Sequence, residues 1–536
     1  MYKKEGLKLY DLIIKNANII DGSGEGSYQS DIAIIGQKIV KIDKNINKKA
    51  NNIIDAENKN VVPGFIDMHC HDEVEILKTN TVSPKVKQGV TTVVNGNCGI
   101  GFIPVNPNKL NDLYDFASKL FDLKDINITW ENYEMFKEQF NKNNLGINIV
   151  NLIPHGALRI AVMGFKEKKA DDKEKKEMGL ILEEYLKKGA YGMSTGLLYP
   201  PCSYADLEEL TYLCSVLAKH NKIFTIHLRN ESDEIIKSIK DVIEIAKKTG
   251  VSLEVSHLNI SGKNNWGKSK EVLSLIEKAR DEGYNINCDQ YPYKAGSTFI
   301  SALLPQWSLD GGTKSLIEKL KSNKDNIKQK IKNDIENGIS GWDNIIKSSG
   351  WDNIIINSVK NKEKEDIIGK SLLKISKLWD LDKYEVLYKL ITEESGEVTV
   401  LIFSVDEKDL YRIFKKDYIM VGTDGIKLDG KPHPRLYGTY FKILDKFVKE
   451  NKLLSLEKTI RKMTSLPAEK LKLKNRGLIK AGYFADLVIL DFEEIKDVAT
   501  YEKPEKTGDG IKYVIVNGEI VVKDKEVISK NGGLIL

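Results

Sequence analysis

The 536-residue sequence lacks long apolar runs and has only five cysteines. No uninterrupted apolar stretch approaches the roughly 20 residues that a membrane helix needs, so we expect no membrane-spanning segment. The cysteines are odd in number and widely scattered, which argues against a disulfide framework. The N-terminal stretch has neither a long apolar core nor a small-residue cleavage site, so we expect no secretory signal and a cytoplasmic location.

A strong charge of either sign is also lacking. Lys and Arg number 82 and Asp and Glu 77, which leaves a net charge of +5 with the signs interspersed. We therefore expect neither nucleic acid nor a membrane as a partner, and the composition leaves the oligomeric state open. The length favours two domains, and a (β/α)8 barrel with a smaller companion would account for it.

Short alternating apolar runs at both ends of the chain predict a single β-domain. DLIIKNANIIDGSG and SDIAIIGQKIVKID near the start are typical of small antiparallel strands, as are ADLVILDF and KYVIVNGEIVVKDKEVI near the end. The terminal Gly-Gly followed by LIL is interpreted in the same way. We predict a β-sandwich domain formed by residues 1–62 and 478–536.

Between these ends, apolar runs alternate with amphipathic helical stretches, which is the pattern of an α/β fold with parallel strands. There are eight such runs: GFIDMHCH, VTTVVNGN, INIVNLIPH, GAYGMSTG, KIFTIHLR, SLEVSHLN, YNINCDQY and YIMVGTDG. Eight is the number that a closed TIM-like (β/α)8 barrel needs, so we predict one over residues 63–477.

A helical insertion is expected at about residues 295–416, although this stretch also contains a strand-like VTVLIFS. It includes a near-duplication, SGWDNII from Ser340 and SGWDNIII from Ser349. The unit is far shorter than a solenoid repeat, so we interpret it as a local duplication in a lid or surface segment.

Four of the seven histidines fall at predicted strand ends. His69 and His71 are two apart on the first strand, so both leave one face while Cys70 points to the other. His227 and His257 close two later strands. A single histidine in an apolar run is usually a core residue, but barrels keep their active sites at the C-terminal ends of their strands. Together the four histidines indicate one metal site.

Cys98 and Asp424 complete this candidate site. Cys98 follows a strand in a glycine-flanked turn, and a thiolate beside imidazoles favours zinc over magnesium or calcium. We therefore group Cys98 with His227 and His257. An Asp before Gly is ordinarily a turn residue, but at a strand end Asp424 would supply the carboxylate that hydrolysis needs. The other cysteines are interpreted as structural: Cys70, Cys202, Cys214 and Cys288.

The motifs occur in an order that resembles a known family. They are PGFIDMHCH, GVTTVVNGNCG, STGLLYPP, HLRNES, SHLN, DQYPYKAGST, GTDG, HPRLYGTY and the C-terminal MTSLPAEKLKLKNRGLIKAGYFADLVILD. The chain resembles the N-acyl-D-amino-acid deacylase (D-aminoacylase) family of the amidohydrolase superfamily, whose members are metal-dependent hydrolase barrels. The resemblance implies one tightly bound Zn²⁺ and a second, weaker metal position. The implied ligands are Cys98, His227 and His257 for the first position, and His69, His71 and Asp424 around the second.

The resemblance also implies a grip on the substrate carboxylate by Arg435, Tyr291 and Ser297. A guanidinium can hold a carboxylate through two parallel hydrogen bonds, although Arg435 could instead belong to a structural ion pair. One position departs from the family, which usually has a lysine where this chain has Asn259. Either Arg435 alone suffices, Lys263 reaches in from the next loop, or the substrate is not a simple N-acyl amino acid.

The implied activity is zinc-dependent hydrolysis of N-acyl-D-amino acids to a carboxylate and a free D-amino acid. Zinc would lower the pKa of its bound water to roughly 7, and Asp424 would take the proton and pass it to the leaving nitrogen. The alternatives are a cyclic amide hydrolase of the dihydroorotase or hydantoinase type, and an inactive barrel that binds a partner. The preference for D substrates comes from the resemblance alone.

Overall fold

The computed structural model describes residues 9–141 and 144–536. Its strands, in chain order, are β1 (Tyr10–Ile19), β2 (Tyr28–Ile35), β3 (Lys38–Asp43), β4 (Ala50–Asp55), β5 (Asn60–Pro63), β6 (Phe65–Asp67), β7 (Cys70–His71), β8 (Val90–Asn95), β9 (Asn148–Pro154), β10 (Gly192–Gly196), β11 (Ile223–His227), β12 (Ser252–Val255), β13 (Ile286–Gln290), β14 (Ala295–Phe299), β15 (Ile354–Ser358), β16 (Thr399–Phe403), β17 (Ile419–Val421), β18 (Gly425–Ile426), β19 (Leu487–Leu490), β20 (Ile511–Val516), β21 (Glu519–Lys523) and β22 (Glu526–Val527).

The helices, in chain order, are α1 (Glu73–Thr79), α2 (Ser83–Val86), α3 (Leu110–Ala117), α4 (Tyr133–Asn141), α5 (His155–Met163), α6 (Asp172–Lys187), α7 (Leu207–Lys219), α8 (Ile235–Thr249), α9 (Ser269–Asp281), α10 (Gly312–Ser322), α11 (Ile327–Asn337), α12 (Ile345–Ser349), α13 (Leu372–Trp379), α14 (Lys383–Glu393), α15 (Glu407–Phe414), α16 (Arg435–Lys442), α17 (Leu456–Met463) and α18 (Ser465–Leu471). A π-helical turn, Ile443–Glu450, continues α16. Among residues 9–141 and 144–536, none of the helices has the length and apolar character that crossing a membrane requires.

Eight parallel strands form the predicted barrel, in the order β6-β8-β9-β10-β11-β12-β13-β17. The first and last strands approach each other through a hydrogen bond from Met68 N to Val421 O of 3.1 Å, and β7 pairs with β18 just beyond them. Every residue of β8, β9, β10 and β11 is buried. Burial on both faces explains why β9 and β11 are largely apolar. The predicted fold class is confirmed.

The outer helices present one apolar face to the barrel. In α8, for example, Ile235, Ile239, Val242 and Ala246 are buried, which is the three-to-four-residue spacing of a helix lying on a sheet. The helix ends at Gly250, whose φ of 70° is the left-handed conformation that glycine adopts most readily.

Strands from both ends of the chain share one nine-stranded sheet, ordered β22-β21-β20-β19-β5-β1-β2-β3, with β4 beside β1. The chain passes from this sheet into the barrel between Pro63 and Phe65. The exact domain limits given above remain a prediction. The terminal LIL was wrongly expected to be a strand of this sheet, because Ile535 forms an isolated bridge with Ile149 of barrel strand β9.

The insertion is less helical than expected, since it holds an antiparallel sheet ordered β14-β16-β15. The strand-like VTVLIFS supplies β16. The two copies of the duplicated motif differ: Trp342 and Asp343 of the first are buried, whereas Asp352 of the second is exposed. Neither copy is a surface segment throughout. The first packs against the loop after β11, where Asp343 accepts a hydrogen bond from Glu231 N at 2.7 Å. The second is exposed at Asp352 and Asn353, but its last residues are buried in β15.

Candidate metal centre and active site

The C-terminal rim of the barrel brings together six side chains from five strands and the turns that follow them. Each is at most 8% exposed: His69, His71, Cys98, His227, His257 and Asp424. The strand alternation has the predicted effect around β7, since Cys70 Sγ turns away and lies 3.2 Å from Val94 O.

One group of three has the spacing of a zinc site. Cys98 Sγ lies 3.8 Å from His227 Nδ1 and 3.6 Å from His257 Nε2. Tetrahedral zinc, with Zn–S near 2.3 Å and Zn–N near 2.0–2.1 Å, places such atoms about 3.6 Å apart. The three side chains therefore fit a single Zn²⁺ with a fourth position left for another ligand.

The second group adjoins the first through the same cysteine. His69 Nε2 lies 3.2 Å from Cys98 Sγ, and Asp424 Oδ1 lies 3.2 Å from His71 Nε2 and 3.6 Å from His69 Nε2. Within each group the ligand atoms are all within 4.8 Å of one another. The arrangement fits two neighbouring metal positions with the thiolate between them.

The cysteine is set up to be a thiolate. Burial alone would raise the pKa of Cys98, but the surrounding imidazoles, His69 foremost, hold it well below its ordinary value. A thiolate is the form of cysteine that binds a metal.

Three site residues have a backbone conformation that is unusual for a residue with a side chain. The φ angles are 54° at Cys98, 33° at His257 and 48° at Asp424. Such strain persists where the surroundings impose it, and it clusters at functional sites. His257 N donates to Asp289 Oδ1 at 3.0 Å, and Asp424 N donates to His69 O at 2.7 Å.

Glycine is required in the turn that carries Cys98. Gly96 has a φ of 82°, and a Cβ there would lie 2.5 Å from Leu152 O. Gly99, which follows Cys98 in the same turn, donates its N–H to Ser194 Oγ at 2.9 Å. The predicted glycine-flanked turn is thus packed directly against the next strands.

Two carboxylates that the sequence analysis did not assign support the imidazoles from behind. Glu231 Oε1 lies 3.1 Å from His257 Nδ1, and Asp289 Oδ2 lies 3.4 Å from His69 Nδ1. Such partners orient a metal-binding ring and select its tautomer. Both residues lie within motifs quoted above, HLRNES and DQYPYKAGST. Their acidic side chains near the ends of strands could have indicated partners for the metal-binding histidines.

A third buried group joins the first and last strands. Asp67 accepts hydrogen bonds from Thr423 N at 2.8 Å and Thr423 Oγ1 at 2.7 Å, directly before Asp424. Lys85 Nζ lies 2.5 Å from Asp67 and 2.7 Å from Asp72, and all three residues are buried. Because the Lys85 ammonium lies between the two carboxylates, the group is an ion-pair network. It holds the strand ends that carry His69 and Asp424 in place.

The residues predicted to bind substrate also lie together. Tyr291 and Ser297 line a cavity that reaches His257 and Asp424. Arg435 packs behind them, with its guanidinium carbon 4.9 Å from the centre of the Tyr291 ring and Nη2 donating to Ser297 O at 3.3 Å.

Arg435 is also paired with the catalytic candidate, since Nη1 lies 2.7 Å from Asp424 Oδ2. Burial would raise the pKa of Asp424, but Arg435 and then His71 hold it well below its ordinary value. His433, which the sequence analysis passed over, fixes the start of this helix. Its Nδ1 accepts from Arg435 N at 3.0 Å and its Nε2 lies 2.9 Å from Ala295 O.

The departure at Asn259 lies inside the site. Asn259 lines the same cavity, and its Nδ2 donates to His257 O at 2.9 Å. Lys263 is exposed and is not part of the cavity lining. The suggestion that Lys263 replaces the missing cation is therefore wrong, because its charge remains in solvent.

The sequence matches a family model described as amidohydrolase family over residues 52–284 and 415–522. It is 31% identical to a D-aminoacylase of Alcaligenes xylosoxydans xylosoxydans over 98% of this chain and 97% of that protein. The chain belongs to the amidohydrolase family. Within it, this amidohydrolase belongs to the N-acyl-D-amino-acid deacylases.

Solved structures agree with this placement. An N-acyl-D-glutamate deacylase from Bordetella bronchiseptica, complexed with zinc and a phosphonate mimic of the tetrahedral intermediate, matches with a TM-score of 0.83 and 28% identity, covering 99% of this chain and 100% of that one. A D-aminoacylase with a binuclear metal centre, in which one metal activates and the second attenuates, also matches. The TM-score is 0.82 and the identity 30%, covering 98% of this chain and 99% of that one. The family model leaves the insertion unmatched.

Proposed function

We propose that this amidohydrolase cleaves the amide bond of N-acyl-D-amino acids, releasing a carboxylate and a free D-amino acid, with Zn²⁺ as its cofactor. The observation that carries the proposal is the buried sulfur of Cys98 between imidazoles, at zinc-compatible distances, on the rim where such barrels hold their active sites. The names of the full-length relatives support the D configuration. The cytoplasmic location is part of the proposal.

We assign the tight zinc to Cys98, His227 and His257. Zn²⁺ bound there supplies Lewis acidity, which activates water at neutral pH and polarises the amide carbonyl. The group around His69, His71 and Asp424 is the second, weaker position, which the binuclear D-aminoacylase supports.

Asp424 is assigned the proton transfers. Its carboxylate lines the cavity, and the pairing with Arg435 keeps it ionised and ready to accept a proton from the attacking water. The same carboxyl group then delivers the proton to the leaving nitrogen, as a general acid–base group must.

Substrate is oriented through its α-carboxylate by Arg435, Tyr291 and Ser297. The two side chains in the cavity wall offer hydroxyl groups, and the guanidinium lies directly behind them. An incoming carboxylate would compete with Asp424 for Arg435, because both present oxygens to the same fork of donors. Substrate binding would then raise the pKa of Asp424 and make it a better proton donor to the leaving nitrogen.

The test is a hydrolysis panel of N-acetyl D- and L-amino acids with the zinc-loaded protein. We expect release of free amino acid from D substrates and a much slower reaction with their L enantiomers. Dihydroorotate and hydantoins are assayed alongside. Turnover confined to L substrates, or ring opening without deacylation, would contradict the proposal.

A further inference from the structure

The insertion contributes part of the cavity wall that faces the metal centre. The lining includes Asp343, from the first copy of the duplicated motif, and the residues that follow it, Ile345, Ser348 and Ser349. Asn259 and Ser261 lie in the same wall. Asn259 stands where the family usually has a lysine, so its position offers no cation to the α-carboxylate, which is assigned to Arg435, Tyr291 and Ser297. This wall can therefore meet another part of the substrate.

Asn259 offers this wall a hydrogen-bond acceptor. Its Nδ2 is committed to His257 O at 2.9 Å, which fixes the orientation of the amide because a reversed amide would set two oxygens against each other. The remaining atom, Oδ1, is buried and has no hydrogen-bond partner among the residues that the structure describes. An unpaired buried acceptor is costly unless a bound ligand supplies a donor.

The acidic side chains of the cavity have no basic side chain other than histidine beside them in the described part of the lining. Carboxylates of Glu231, Asp343 and Asp424 line the cavity, and no lysine or arginine of residues 9–141 and 144–536 is among the lining side chains. The carboxylate of Glu231 is paired with His257, and that of Asp424 is paired with Arg435. Within the described part of the chain, Asp343 has no cationic partner: its hydrogen bonds come from Glu231 N at 2.7 Å and from the Ser232 hydroxyl.

We infer that this wall receives the substrate side chain and selects against acidic side chains, in favour of amide and ammonium groups that donate hydrogen bonds to Asn259 and Asp343. The inference rests on the proposed deacylase function and names its substrate class. An anionic substrate side chain would be repelled by the carboxylate of Asp343 and could donate no hydrogen bond to Asn259. Like charges and unpaired acceptors of this kind make a binding site reject the wrong partner. The chain then differs from its N-acyl-D-glutamate deacylase relative, whose substrate has an acidic side chain.

The test uses substrates of equal shape and different charge. The zinc-loaded protein is assayed with N-acetyl-D-glutamine and N-acetyl-D-glutamate, and with N-acetyl-D-alanine as a reference. We expect kcat/KM for the glutamine substrate to exceed that for the glutamate substrate by about 100-fold, the scale of one unfavourable charge contact.

Three variants test residues of the wall. Asp343→Asn removes the unpaired charge. It should narrow the glutamine-to-glutamate ratio of kcat/KM to about tenfold by raising turnover of the glutamate substrate, because the repulsion is lost. Asn259→Leu removes the acceptor and should narrow the glutamine-to-alanine ratio of kcat/KM about tenfold, because the glutamine side chain alone loses a hydrogen-bond partner. Ser348→Lys adds a cation to the wall without touching Asp343, and should raise turnover of the glutamate substrate even where Asp343→Asn folds poorly.

The duplicated motif supplies a matched control. Asp352 occupies the equivalent position in the second copy, is exposed and lies outside the cavity lining. Asp352→Asn should leave the glutamine-to-glutamate ratio unchanged. Equal turnover of the two substrates by the unaltered protein would overturn the inference and leave the proposed function standing, because the amide would still be cleaved. If none of the D substrates reacts, including the alanine derivative, the proposed function fails and this inference fails with it.

Discussion

The two halves of the metal centre use similar residues at one barrel rim but differ in their surroundings. One half consists of Cys98, His227 and His257, and the other of His69, His71 and Asp424. In the first half, the carboxylate of Glu231 lies behind the imidazole of His257, 3.1 Å from Nδ1, and is not itself one of the three candidate ligands. In the second, the metal-facing carboxylate is already paired with Arg435 at 2.7 Å. We propose that this pairing weakens metal binding at the second position, because Arg435 competes with the metal for the carboxylate of Asp424.

The largest effect is expected from the residue common to both halves. Cys98→Ala removes the thiolate from each group, so zinc should be lost and kcat/KM should fall by more than about 1,000-fold. Metal analysis of the purified variant, with a deacylation assay, measures both. Cys214→Ala, at a buried cysteine of α7, is the control and should keep its zinc. A zinc-replete, active Cys98→Ala variant would refute the ligand assignment.

The next effect separates catalysis from metal binding. Asp424→Asn keeps the shape of the side chain but cannot accept the proton, so turnover should fall by about 100- to 10,000-fold, the range for losing a general acid–base group. Zinc in the first half should stay, because none of its three ligands changes. Rates are measured with zinc content determined on the same sample. If activity survives with the zinc in place, Asp424 is not the proton carrier.

The six rim residues were predictable from sequence because parallel barrel strands end at one rim, so residues far apart in the chain, such as His69 and His257, must converge. Their supporting groups were not predictable in the same way. The pairing of Asp289 with His69 depends on the register of non-adjacent strands, and the pairing of Arg435 with Asp424 depends on where a helix begins. The left-handed backbone of Cys98, His257 and Asp424 was not predicted from the sequence either.

The insertion shows the same limit. Two copies of Gly-Trp-Asp-Asn have identical local propensities, yet one is buried at the cavity and the other begins the exposed approach to β15. Tertiary contacts, such as the hydrogen bond from Glu231 N to Asp343, decide between the two outcomes. The sequence therefore shows the duplication, but it does not predict which copy is buried at the cavity.

A smaller effect is expected from the support behind the first half. Glu231→Gln removes the negative charge 3.1 Å from His257 Nδ1 while keeping a hydrogen-bond acceptor, so zinc affinity should fall by about 10- to 100-fold, as for other residues that orient a metal ligand. Competition with a chelator of known affinity measures the change. Glu244→Gln, on the exposed face of α8, is the control and should not change affinity. Equal affinities would mean that His257 does not depend on its carboxylate partner.

The smallest effect is expected from the second half alone. His71→Asn removes an imidazole 3.2 Å from Asp424 and leaves the first group untouched, so the variant should bind one zinc tightly and fail to take up a second. Its kcat/KM should change by no more than about tenfold, because water activation belongs to the first position. Titration with zinc, followed by activity at each ratio, distinguishes the two positions. If His71→Asn loses its zinc as completely as Cys98→Ala, the two halves form one indivisible site, because removing a ligand of one would then empty the other.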